Sequence, residues 1–110
     1  MVVLDHGPEL HSWPSADQDV LPPELAEFAI RTEIGLATPP AGIDAVGGVQ
    51  WPALYEAPVP NVTGDGPPTV DVPTFKGRAV AYIPLTIAQD AAAGPMSLTV
   101  NVRLQACDES

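Results

Sequence analysis

Fourteen prolines in 110 residues constrain this chain more than any other feature. Each proline lacks an N–H donor, and its ring clashes with the preceding helical turn. Spread at this density, they leave no room for long helices and exclude an all-α bundle. With the nine glycines they occupy about a fifth of the chain, well above average usage of roughly 12%. The chain is nonetheless 45% hydrophobic, enough to build a core, so a wholly disordered polyelectrolyte is excluded. Its length suits one domain.

Charge removes further classes. Fourteen acidic against four basic residues give a net charge of -10, and four scattered cations cannot neutralise a phosphate track, so no nucleic-acid partner is expected. No apolar run approaches the roughly 18 residues that span a bilayer. The start, Met1-Val2-Val3-Leu4-Asp5, has neither the basic region nor the long apolar region of a signal peptide. An exported chain whose leader has been removed reads the same way.

Hydrophobic periodicity points to strands. Residues 1–26, with Pro8, Pro14, Pro22 and Pro23, read as an irregular segment that includes both histidines, His6 and His11. The piece from Pro22 to Glu27 suits one helical turn, because proline and acid are tolerated at a helix start. From Phe28 to Leu36, branched and charged residues alternate with period two, which predicts a strand. A short strand is expected at Val46–Pro52. The stretch Pro58–Pro73, with five prolines and few large apolar residues, reads as a long exposed loop. Arg78–Ala88 places Ala79, Ala81, Ile83, Leu85 and Ile87 on one face, with Pro84 marking an edge or a bulge. Met96–Cys107 alternates Leu98, Val100, Val102, Leu104 and Ala106 inward with Thr99, Asn101, Arg103, Gln105 and Cys107 outward. The last two strands flank a Gly94-Pro95 turn and predict a hairpin or a sandwich corner. The class is all-β, most economically a sandwich over 27–110 with long Pro/Gly-rich loops.

Several segments carry a resemblance. Gly47-Gly48-Val49-Gln50-Trp51-Pro52 precedes Phe75-Lys76-Gly77-Arg78-Ala79-Val80-Ala81-Tyr82-Ile83-Pro84-Leu85-Thr86-Ile87, and Leu98 to Asp108 ends in Gln105-Ala106-Cys107-Asp108. In order and spacing this resembles the N-terminal periplasmic domain of the thiol:disulfide interchange protein DsbD family, over roughly residues 40–110. Leu10-His11-Ser12-Trp13 is similar to a Gly-x-His-aromatic element near that family's start; the rest of the first 40 residues match poorly. The resemblance implies an immunoglobulin-like β-sandwich in a periplasmic or other extracytoplasmic location. It also implies thiol–disulfide exchange through Cys107, the first of the family's cysteine pair, with a thioredoxin-fold domain or another periplasmic thiol protein as partner. Cys107 is the chain's one cysteine, so interchange requires a second thiol from beyond Ser110 or from a partner. The family's cysteine-shielding cap corresponds to Asp65–Thr74, which lacks a shielding aromatic residue.

General chemistry bounds what Cys107 does. The thiolate is the attacking species; Asp108 and Glu109 disfavour it by like charge, and Arg103 on the same face offsets them in part, so a sluggish nucleophile is expected. Without the resemblance, a lone thiol near a chain end reads as a bystander. His6 and His11 lack the further ligands of a metal site, no cofactor is expected, and Trp13 and Trp51 read as packing residues. No nucleophile elbow or phosphate loop is present. The competing expectation is a non-catalytic sandwich serving as a structural or protein-interaction domain. Such a domain would self-assemble through exposed strand edges or through a Cys107 disulfide.

Overall fold

A computed structural model describes residues 1–61, 65–91 and 93–108. The chain is mostly β. Among the described residues ten strands run in order: β1 (Val2–Asp5), β2 (Leu10–Ser12), β3 (Glu33–Leu36), β4 (Ile43–Ala45), β5 (Tyr55–Pro60), β6 (Thr69–Lys76), β7 (Arg78–Ala81), β8 (Leu85–Ile87), β9 (Val100–Arg103) and β10 (Ala106–Asp108). One helical turn, α1 (Pro23–Ala26), follows β2. Four strands form a sheet in the order β10-β2-β6-β5; the others pair as β1-β7, β3-β9 and β4-β8. Every one of these pairings is antiparallel.

Three of the five prolines that suggest a loop at 58–73 instead sit in the longest ladder, β5 against β6, and only Pro67 and Pro68 lie between the two strands. Pro58 faces Asp71, Pro60 faces Thr69, and Glu56 faces Pro73. Antiparallel partners alternate between hydrogen-bonded and non-hydrogen-bonded pairs. The Asn61 N–H donates to the Pro68 carbonyl at 2.9 Å, which puts Val59, Ala57 and Tyr55 in the bonded set and all three prolines in the other. A proline there loses only an outward-pointing donor. Ala57, Val59 and Val72 are buried on one face, while Glu56, Pro58, Pro60 and Asp71 are exposed.

Residues 1–26 are likewise more regular than their prolines suggest. β1 pairs with β7, and β2 lies between β10 and β6. Conversely, the strand expected over Phe28–Leu36 begins only at Glu33. The Phe28 and Ala29 N–H groups both bond the Leu25 carbonyl, continuing the helical turn, and Phe28 is left 68% exposed. The strand expected at Val46–Pro52 reduces to a single bridge, Gln50 with Tyr82, and β4 lies just before it.

Strand β6 serves two cores because its successive side chains point to opposite faces. Phe75, wholly buried, joins Leu4, Ile34, Ala79 and Ala81 in one cluster, and Trp51 stacks on it at 5.9 Å. Val72, on the opposite face, joins Trp13, Leu25 and Val59 in the other. Gly77 turns the chain between β6 and β7 with φ of 60°, a left-handed conformation that favours glycine. Its carbonyl accepts from both the His6 N–H at 2.9 Å and His6 Nδ1–H at 2.8 Å.

The last two predicted strands do not form a hairpin with each other. Each is broken in two, and the halves pair with earlier strands: β7 with β1, β8 with β4, β9 with β3, β10 with β2. The predicted faces also change. Leu85, Ile87, Leu98, Val102 and Leu104 are exposed, whereas Gln105 and Cys107 turn inward. The reason is a partner for Gln105, whose Oε1 accepts the Trp13 indole N–H at 2.8 Å and the Ile30 N–H at 3.3 Å. The molecule is long, 60 × 26 × 18 Å with a radius of gyration of 17.1 Å, against about 13 Å for a compact domain of this length.

Candidate functional site

Cys107 occupies the middle of β10, an edge strand of the four-stranded sheet, directly opposite His11 of β2. Directly opposed residues share a face, and Lys76 of β6 continues the same row beyond His11. Trp13, two residues from His11, projects to this face as well. Its ring meets the His11 imidazole edge-on at 5.0 Å and 79°. Both rings are buried, His11 to 1% exposure, and Cys107 packs half-buried against the cluster of Trp13, Leu25, Val59 and Val72. The expectation of an outward thiol is therefore corrected: the inward turn of Gln105 carries Cys107, two residues on, to the same side.

The rest of the shell is held by short polar contacts. Thr32 Oγ1–H donates to the Trp13 carbonyl at 2.7 Å, fixing the end of β2 against the approach to β3. Ser12 Oγ–H donates to His6 Nε2 at 2.7 Å, the arrangement required when Nδ1–H is bonded to Gly77. His6 is thereby occupied in joining β1 to the β6–β7 turn. Among the described residues, no group of three or more His, Cys, Asp or Glu side chains is placed to hold a metal ion.

Burial pushes the Cys107 thiol above its ordinary range; the neighbouring Trp13 indole, whose N–H donates to Gln105 Oε1, pulls it partly back, and the Asp108 carboxylate raises it again. Desolvation thus outweighs the like-charge effect expected from the sequence, and Glu109 lies outside the described residues. Arg103 does not offset either one. It sits opposite Glu33 in the β3–β9 ladder, its Nη1 3.8 Å from Glu33 Oε2, with both side chains exposed. The resulting thiol is mostly protonated near neutrality. Once in a mixed disulfide it is a poor leaving group, because a high-pKa thiol departs slowly.

The sulfur borders an open hollow of about 260 Å³ lined by His11, Trp13, Leu25, Val59, Pro60, Cys107 and Asp108. The cap expected from Asp65–Thr74 is not what walls it: Val72 and Thr74 are buried within β6, and the walls come from Leu25 of α1 and from Val59 and Pro60 of β5. Sequence reasoning singled out Cys107 but missed Leu25, Val59 and Pro60 as neighbours of the thiol. The nearest signal was the pair of apolar residues flanking Pro58 and Pro60, which a loop would not need. The chain matches no protein-family model, no curated protein and no solved structure.

Proposed function

We propose that this chain is an extracytoplasmic thiol–disulfide exchange module built on an immunoglobulin-like sandwich of the DsbD N-terminal type. The observation that carries the reading is the placement of Cys107 on an edge strand, half-buried opposite His11 and beside Trp13, at the mouth of an apolar hollow. These are the residues of the Leu10–Trp13 and Gln105–Asp108 segments, almost the full length of the chain apart, brought side by side. In the exchange, the Cys107 thiolate attacks one sulfur of a partner disulfide. A new S–S bond forms to Cys107, and the partner's second sulfur leaves as a thiolate and takes up a proton. A second thiol, from the partner or from further protein sequence, resolves the mixed disulfide. The partner is a thioredoxin-fold domain or another periplasmic thiol protein.

Trapping tests this directly. A thioredoxin-like protein with its resolving cysteine replaced, and its remaining cysteine activated as a mixed disulfide with a small thiol, is expected to give a covalent complex that dithiothreitol reverses and Cys107→Ser abolishes. Failure to form that complex, with Cys107 shown to be accessible to a small alkylating reagent, overturns the exchange reading. A second reading rests on the β3–β9 and β4–β8 ladders, whose exposed apolar residues and free edges suit a non-catalytic interaction or self-assembling domain. It is favoured if sedimentation gives an oligomer that persists in Cys107→Ser.

A further inference from the structure

Free strand edges attract partners, and proteins blunt them with charged side chains or prolines. Among the described residues, every other edge strand carries at least one charge, such as Asp44 on β4, Glu56 on β5 and Arg103 on β9. β8, Leu85-Thr86-Ile87, carries neither a charge nor a proline, and it is exposed at every position. Its backbone is also in phase to pair. The Val46 N–H donates to the Pro84 carbonyl at 2.9 Å, and the Ala88 N–H to the Gly42 carbonyl at 2.8 Å. In an antiparallel ladder this puts Pro84, Thr86 and Ala88 in the set bonded to β4. The N–H and C=O groups of Leu85 and Ile87 therefore point to the free edge, and the donor that Pro84 lacks would have faced β4. On the β5 edge the reverse holds, since Pro58 and Pro60 sit at outward positions.

We propose that β8 pairs antiparallel with β8 of a second copy of this chain, about a two-fold axis at Thr86. The proposal is independent of the exchange reading and gives the self-assembly reading its partner and register. In that register the strand is self-complementary. Leu85 of one copy faces Ile87 of the other, and the two exchange both N–H···O bonds; the symmetric pair does the same. Between them the two Thr86 residues form a non-bonded pair, with Cα atoms about 4.5 Å apart. Surface area sets the strength. The chain exposes 6979 Å², about 1,200 Å² more than the roughly 5,800 Å² of a compact protein of its mass. In 85–104 every described residue is exposed except Ala91 and Val100, which are half-buried. An excess of that size matches the lower end of specific interfaces, about 1,200–2,000 Å². The dimer is therefore weaker than about 1 μM and dissociated in dilute unfolding experiments. The net charge does not oppose it locally. From Ala79 to Val102 the one charged residue is Asp90. Asp44, opposite Thr86, lies three strand spacings of about 4.8 Å from its counterpart, beyond a Debye length of about 8 Å.

The test uses the chain as Cys107→Ser, so that the native thiol plays no part. Sedimentation between about 1 μM and about 1 mM is expected to show a monomer–dimer equilibrium. Adding Ile87→Lys is expected to weaken the dimer about tenfold or more, whereas Val102→Lys, on β9, leaves it unchanged. In the same background Thr86→Cys is expected to oxidise to a covalent dimer, because Cα atoms about 4.5 Å apart suit a disulfide. Leu85→Cys is not, since Leu85 faces Ile87 across the axis and not its own counterpart. A monomer throughout the range overturns the proposal and the self-assembly reading with it. A dimer that Ile87→Lys leaves intact, or that Leu85→Cys cross-links as readily as Thr86→Cys, overturns the proposal alone by placing assembly on another edge or register. Leu85 and Ile87 amides that resist hydrogen exchange in the dilute monomer also overturn it, because a segment of the chain itself would then cover the edge.

Discussion

The β10-β2-β6-β5 sheet and the β3–β9 and β4–β8 ladders are made of similar material: short strands with small and β-branched residues, bounded by proline and glycine. In the sheet, Ala57, Val59, Val72 and Phe75 are shielded from water. In the ladders, Leu85, Ile87 and Val102 remain exposed, and β8 is exposed at every position. Hydrophobicity does not separate the two regions. What separates them is whether another element lies against the face: α1 and the turn around Trp13 cover one side of the sheet, β1 and β7 the other, and among the described residues no element covers the outer faces of the ladders. The thiol falls in the covered region, at its border.

The widest gap between the regions is in stability. Phe75→Ala is expected to cost about 3–5 kcal/mol, a large part of the roughly 5–15 kcal/mol of a typical domain, and Phe75→Leu less, keeping a folded reference. Ile87→Ala, at a side chain 65% exposed, is expected to cost under about 0.5 kcal/mol. Urea unfolding of the three variants reads the difference. A cost at Ile87 close to that at Phe75→Leu would break the comparison, because it would mean that something covers the β8 face in solution.

The contrast also explains what was legible beforehand. Period-two alternation in 78–87 and 98–107 identified an all-β chain, since alternation reflects the backbone alone. It did not identify which face is covered, because that depends on neighbours far away in sequence. Leu98 and Val102 looked like core residues and are exposed, while Gln105 and Cys107 looked like surface and are turned in by one indole N–H from Trp13. The β5–β6 ladder was hidden for a related reason. A proline excludes a strand only where its N–H would face a partner, and the phase of Pro58, Pro60 and Pro73 is fixed by pairing. Cys107 stood out through the family resemblance, but its surroundings, Leu25, Val59 and Pro60, come from two other segments.

The thiol gives a smaller effect that sharpens the border between the regions. Its folded-state pKa is raised by burial, so the folded chain holds the proton more tightly than the unfolded chain does. That contribution to stability is fully present below the unfolded thiol value of about 8.5 and is lost as pH rises through the higher folded value. Alkylation of Cys107 followed against pH is expected to give a midpoint above the ordinary value. Trp13→Phe, which removes the indole N–H, moves it further up, and Asp108→Asn moves it down. The fall in urea midpoint on going alkaline is expected to be shallower in Cys107→Ser. A midpoint at or below the ordinary value would place the sulfur in water, outside the covered region.

The smallest effect belongs to the ladders. Glu33 and Arg103 oppose each other in β3–β9, yet their closest charged atoms are 3.8 Å apart and both side chains are mostly in water. Water screens such a pair, and ordering two long side chains offsets what attraction is left, so exposed ion pairs contribute about 0–1 kcal/mol. Arg103→Gln is therefore expected to shift the urea midpoint barely at all, and the shift should vanish in high salt. The same substitution is expected to leave the alkylation midpoint of Cys107 unchanged, because Arg103 is directed to Glu33 in a different ladder. A downward or upward move of that midpoint in Arg103→Gln would show the guanidinium acting on the sulfur, joining two regions that the pairing of β9 with β3 and of β10 with β2 keeps apart.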